Sequence, residues 1–231
     1  MKDSYQIIVG LCFLFMCSTF CPSALAQPSA PFVPSTPELQ PIEALRKEAK
    51  AFVDAKNFNK AQATLLDALN RMETTIEPDI QKKTRENTPG YPLNRWHDCL
   101  REEAAIYKDL AGIYYKQSRM NEVQKAYERR TILRRSAGDE LEQIEPDYEY
   151  LVTVCQANGD LKKAELYFIH LLKARRLMWG KESDSHVLAT MTDFAKFERS
   201  SRDPEKATML EERIKGIKTD AKPLPKLWFS F

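Results

Sequence analysis

The feature that most constrains this chain is a recurring spacing of small residues. A small residue is followed after three by a bulky one, after four more by a turn residue, and after five more by a second small residue. Ala49, Phe52, Lys56 and Ala61 fit this spacing, as do Ala111, Tyr114, Ser118 and Val123, and Val152, Cys155, Gly159 and Ala164. A further bulky residue follows each set by four: Leu65, Tyr127 and Phe168. Ala195, Glu198, Arg202 and Ala207 make a degenerate fourth set, with Glu198 in the bulky place. Two antiparallel helices can approach closely only where small side chains meet, so each set predicts one helical hairpin. The second small residues recur at roughly 41–43 residues after Val123, but the step from Ala61 to Val123 is longer. That step carries an insertion at about 77–95, whose Thr88-Pro89-Gly90-Tyr91-Pro92 cluster is a strong turn signal. The expectation is a surface loop between two helix pairs.

The surrounding text is helical throughout. Trp96, Leu100, Ala104, Tyr107, Leu110, Ala111 and Tyr114 recur at three and four, and no segment alternates with the period of a strand. Only seven glycines occur in 231 residues, too few for a dinucleotide fold or a turn-rich sandwich. Asn158-Gly159-Asp160 reads as a C-cap followed by an N-cap, and Asp203-Pro204 as an N-cap with proline in the first turn. Asn59 and Asn121 are further N-cap candidates, Gly138 and Gly180 close long helices, and Pro146 opens one.

In this register the segments LAGIYYKQSRMNEVQKAY and VTVCQANGDLKKAELYF resemble tetratricopeptide (TPR) repeats. The longer period is similar to that of kinesin light chains, and Trp179-Gly180-Lys181-Glu182-Ser183-Asp184-Ser185-His186-Val187 occupies the place of their connector. The resemblance implies an all-α, right-handed solenoid of stacked antiparallel helix pairs, about three to four repeats over residues 42–217. It also implies a concave groove that binds a protein or peptide and carries no chemistry.

The two ends read differently. Residues 1–26 have the form of a secretory signal, with an apolar stretch from Ile7 to Phe20 and Ala24-Leu25-Ala26 as the cleavage site. An uncleaved anchor over residues 7–26 is the alternative. Residues 27–41 are a proline-rich linker, with Pro28, Pro31, Pro34 and Pro37 at the period of a polyproline II helix. The tail, 218–231, ends in Leu227, Trp228, Phe229 and Phe231. It is expected to cap the last repeat, with membrane contact through Lys218, Lys222, Lys226 and these aromatics as the runner-up. Export places the chain in the periplasm or outside the cell. Cleavage leaves only Cys99 and Cys155, both among apolar neighbours, so buried small hydrophobes fit better than a disulfide.

Reactive chemistry has little to draw on. There is no H-E-x-x-H, G-x-S-x-G or glycine-rich phosphate loop. His97 and Cys99 are separated by about 200° around a helix, and His170 and His186 lack a second ligand one turn away. No catalytic residue, metal or cofactor is therefore expected. Net charge is +2, with no basic excess to suggest nucleic acid.

By resemblance, the groove is lined by the first helix of each pair. The register places Arg46, Lys50, Lys108, Tyr115, Lys116, Lys196 and Arg199 there, opposed by Glu43, Asp54 and Glu149. This local balance favours an acidic partner. Two function classes result: an exported peptide-binding scaffold, and an envelope-anchored assembly factor held by its N-terminal helix or its aromatic tail.

Overall fold

A computed structural model describes residues 37–86, 94–201 and 203–218. The expected secretory signal, most of the expected linker, the turn cluster at 88–92, Arg202 and the tail beyond residue 218 lie outside the described residues.

Within them the chain forms nine α-helices and no strand: α1 Gln40–Asp54, α2 Phe58–Arg71, α3 Glu77–Arg85, α4 Arg95–Lys116, α5 Met120–Ser136, α6 Leu141–Ala157, α7 Leu161–Trp179, α8 Ser185–Ser201 and α9 Pro204–Lys218. α1 with α2, α4 with α5, α6 with α7 and α8 with α9 pack most densely, and each pair then packs on the next. This is a TPR-like stack of helix pairs.

The spacing of small residues is the seam of each pair. Ala49, Ala61, Ala111, Val123, Val152, Ala164, Ala195 and Ala207 are all buried. The turn residue has an equally definite role. Lys56, Ser118 and Gly159 all have a left-handed backbone, with φ of 57°, 59° and 72°. Around each, one amide reaches back to the carbonyl of the bulky residue: Asn57 N to Phe52 O at 2.8 Å, Arg119 N to Tyr114 O at 2.9 Å, and Asp160 N to Cys155 O at 2.9 Å. A second bond nests inside it, from Lys56 N to Val53 O, Ser118 N to Tyr115 O and Gly159 N to Gln156 O. These are Schellman caps, which satisfy the carbonyls at a helix end and reverse the chain at once. The fourth pair repeats the longer bond, from Asp203 N to Glu198 O at 2.9 Å. In that pair the bulky place belongs to a buried carboxylate. Glu198 meets Lys206 Nζ at 3.5 Å, and Lys206 also bonds Glu165 and lies 5.2 Å from the Phe194 ring centroid.

The structure corrects several local expectations. The insertion is not a loop over its whole length. α2 runs into a π turn, Met72–Ile76, and on into α3, so residues 77–85 are helical. Met72, Ile76 and Ile80 all reach the core of the first pair. Positions four apart drift by about 40° per step in a regular α-helix, and the wider turn reduces that drift. The linker is shorter than 27–41, because Pro37–Leu39 forms a 3₁₀ turn with Leu39 buried, and Pro41 stands in the first turn of α1. Asn57, not Asn59, caps α2, accepting from Lys60 N at 3.2 Å. Asn121 lies inside α5, and Pro146 lies inside α6, which starts at Leu141. Asp160 and Asp203 do cap their helices, and Gly138 and Gly180 have positive φ at the helix ends expected of them.

Candidate partner-binding face

α1, α4, α6 and α8 are the first helices of the four pairs. Of the seven residues expected on their open face, three remain available there. Lys50, Lys108 and Tyr115 are exposed. Lys108, Gly112 and Tyr115 stand three and four apart on α4, within one face of the helix. The Lys108 ammonium is pulled below its ordinary value by crowding from protein atoms and then by the Arg130 guanidinium, although solvent reaches it; Asp109 and Asp147 pull the other way. Tyr115 is close enough to Tyr150 of α6 to act on it electrostatically, and the Tyr150 ring lies 4.1 Å from that of Tyr127. Burial, then the neighbouring Tyr127 and Tyr115, push the Tyr150 hydroxyl up.

The other four side chains have partners within the chain. Arg46 bridges the first two pairs, with Nη1 at 3.0 Å from Glu102 and Nε at 2.8 Å from Asp109. Arg199 grips both oxygens of Glu211 across the last pair, at 3.0 and 2.7 Å. Lys196 meets Asp193 one turn away at 3.0 Å. Lys116 leans toward the Phe58 ring of the preceding pair, 5.7 Å from its centroid. Long side chains can leave a helix face for a partner on its flank, and backbone register does not fix that choice. The opposing acids shift as well. Glu149 is bound by Arg175 at 3.1 Å, and Arg175 also holds Glu145. The unpaired cations of the face are thus on α1 and α4, the exposed Lys196 and Arg199 of α8 carry carboxylate partners, and α6 presents Glu149.

Gly112 is the feature that residue-type reasoning passed over. It lies in the interior of α4, one turn beyond Lys108, and a Cβ built there would meet nothing within 4 Å. Glycine at such a place costs a helix about 1 kcal/mol relative to alanine. No packing within the chain requires it. The result is a notch in α4 between a lysine and a tyrosine.

Cys99 and Cys155 are free and buried. Burial, then nearby carboxylates, first Glu77 and Glu128 respectively, push each thiol up to about 12, which keeps it protonated near neutrality. His97 is exposed. His170 stacks on Tyr148, and His186 stacks on Trp179 while its Nδ1 meets Asp184 at 3.1 Å. Among the described residues no group of three or more His, Cys, Asp or Glu could hold a metal ion.

No protein-family model matches the sequence, and no curated protein matches it. Among solved structures, the chain is similar to a kinesin light chain of nearly identical TPR-like repeats from Podosopora anserina, at 12% identity over 80% of this chain and 98% of that one, with a TM-score of 0.40. It is also similar to BtubC (BKLC) from P. vanneervenii, at 18% identity over 84% of this chain and 77% of that one, with a TM-score of 0.43. These likenesses are distant. The helix-pair architecture rests on this chain's own caps and seams.

Proposed function

We propose that the chain is an exported TPR-type scaffold that holds a protein or peptide along its first-helix face and performs no catalysis. The observation that carries this is the open notch at Gly112. Its propensity cost has no return inside the molecule, and a backbone or flat side chain of a partner could lie directly on the helix there. Lys50 and Lys108 on the basic half of the face favour an acidic or mixed segment, and Tyr115 with Tyr150 supplies aromatic surface beside the notch. Export rests on the apolar stretch from Ile7 and on the Ala24-Leu25-Ala26 site. A mature chain beginning at Gln27 is the expected product.

Filling the notch separates binding from folding. Gly112→Leu should leave the melting temperature unchanged or raise it, because leucine is a better helix former. It should nonetheless lower capture of the native partner from envelope extract at least tenfold, and Lys108→Glu should do the same for an acidic partner. Equal capture by wild type and Gly112→Leu would remove the notch from the binding face.

A further inference from the structure

We propose that the outer face of α5 and α7 is a docking surface for an anionic lipid bilayer. These are second helices, on a different side of the repeats from the notch at Gly112. They are linked by Lys163 Nζ to Glu128 Oε1 at 2.8 Å and, at the N-cap of α7, by Gln124 to Asp160 at 3.2 Å. Three large apolar side chains stand out from them: Ile132 at 55% exposure, Leu166 at 47% and Leu177 at 64%. Isolated exposed leucines are ordinary, but the company of these is not.

On α5, Lys125, Arg129 and Ile132 fall within about 60° of arc, and of the two cations Arg129 also pairs with the buried Glu103 of α4 at 3.1 Å. On α7, Lys162, Leu166, Lys173 and Leu177 do the same. Arg135, on the flank of α5 that faces α7, is also exposed. The carboxylates nearest these stripes are already bonded, Glu122 to Arg119, Glu128 to Lys163 and Glu165 to Lys206. Among the described residues, Lys125, Lys162 and Lys173 have no carboxylate within ion-pair distance. Among the described residues, the exposed apolar side chains of the other second helices have acids beside them. On α9 the exposed Met209 stands between Glu205 and Glu212, and on α2 Leu66 stands beside Asp67.

The interleaving decides the kind of partner. A protein interface concentrates its apolar side chains in a core depleted of charge, and lysine is scarce there. Here each apolar side chain is flanked by a cation. That arrangement suits the headgroup boundary of an anionic membrane, where ammonium and guanidinium groups meet phosphates and the Ile and Leu side chains enter the acyl edge.

The test is flotation of the full chain with phosphatidylcholine vesicles, with and without phosphatidylglycerol. The wild type should float only with the anionic vesicles, and less at high salt. The triple variant Lys125→Glu, Lys162→Glu, Lys173→Glu should lose at least tenfold in partitioning, and Ile132→Ser with Leu166→Ser should also weaken it. Circular dichroism and the melting curve should stay close to wild type, since all five positions are exposed or partly so. Removing residues 223–231 should leave partitioning in place. No preference for anionic vesicles, or undiminished binding by the variants, would overturn the proposal. So would binding that disappears with the tail alone. If the chain ignores vesicles but binds polyglutamate through the same three lysines, the face serves an acidic polypeptide and the lipid assignment is wrong.

Discussion

Within each helix pair the contact is made by alanine and valine; between pairs it is made by larger groups with charge at the rim. Ala111 faces Val123 and Val152 faces Ala164 inside their pairs, and all four are buried. At the junction of the third and fourth pairs, Phe168 stacks on Phe194 with ring centroids 5.0 Å apart. At the junction of the second and third, Arg130 holds both oxygens of Asp147 at 2.9 and 3.0 Å, and Arg134 reaches the same carboxylate at 3.4 Å. Arg46 does similar work between the first and second pairs. The seams are governed by sterics, which tolerate few residue types. The junctions are governed by reach and charge, which several residues can satisfy from different positions.

The junction should be the more fragile of the two. Asp147 is 4% exposed and its partner Arg130 is mostly buried. Asp147→Ala leaves two guanidinium groups facing a space without their carboxylate. Breaking a buried pair from one side costs about 3–5 kcal/mol, and the lower end applies here because Arg134 keeps some access to water. Urea denaturation should show a midpoint shift of that size, along with easier separation of the second and third pairs in hydrogen exchange. A loss below about 1 kcal/mol would mean the junction stands on its apolar contacts alone.

The seam comes next. Ala164 is fully buried where α7 crosses α6, and leucine there adds three carbons that have no room. Ala164→Leu should cost about 2 kcal/mol by forcing the pair apart. Thermal melting checks this, and an unchanged melting point would show that the seam has slack.

This contrast also explains how much of the molecule was legible in the sequence. The seams and caps were readable because each rests on one steric rule: a small side chain at a crossing, a left-handed residue after a helix. The insertion reads as a loop from its turn cluster, whereas Met72, Ile76 and Ile80, spaced four apart, mark a buried helix face. The binding face was only partly readable. Register fixed that Arg46 and Arg199 lie on first helices, but not that Glu102, Asp109 and Glu211 would draw their guanidinium groups to the flanks. Gly112 carried a signal of a different kind, a residue whose cost is visible in sequence and whose lack of an internal reason is visible only in three dimensions.

A smaller effect separates the charge at the rim from the packing beneath it. Asp139 follows Gly138 at the end of α5 and accepts from Arg101 Nε at 2.6 Å and Arg134 Nε at 2.8 Å. Burial pushes its carboxyl up, but the hydrogen bonds from Arg101 and Arg134 outweigh this and hold it below its ordinary value. A depressed carboxylate contributes stability that is fully present above its unfolded value, near 3.9, and is lost as pH falls through its lower folded value. Stability should therefore drop in that acid range. Asp139→Asn should lower stability by about 1–2 kcal/mol at neutral pH and flatten the acid limb. An acid limb of unchanged slope in the variant would assign the pH dependence to other carboxylates.

The smallest effect lies in the caps, and it runs in opposite directions at equivalent places. Three turns share one hydrogen-bond pattern and one left-handed residue, but only the third uses glycine. A residue with a Cβ pays about 1 kcal/mol or more to hold that conformation. Glycine avoids this and gives back part of the gain through its larger unfolded-state entropy. Ser118→Gly and Lys56→Gly should therefore each stabilise the chain by about 0.5 kcal/mol, and Gly159→Ala should destabilise it by about 1 kcal/mol. Both serine and lysine side chains are exposed at these turns, so the exchange removes no buried contact. The double variant at positions 56 and 118 doubles the expected gain, because the two turns belong to different pairs and should add. Calorimetric melting of the three single variants and the double decides it. A loss of stability in Ser118→Gly would mean that its hydroxyl or its chain entropy outweighs the strain, and that the three caps are alike in geometry but not in energy.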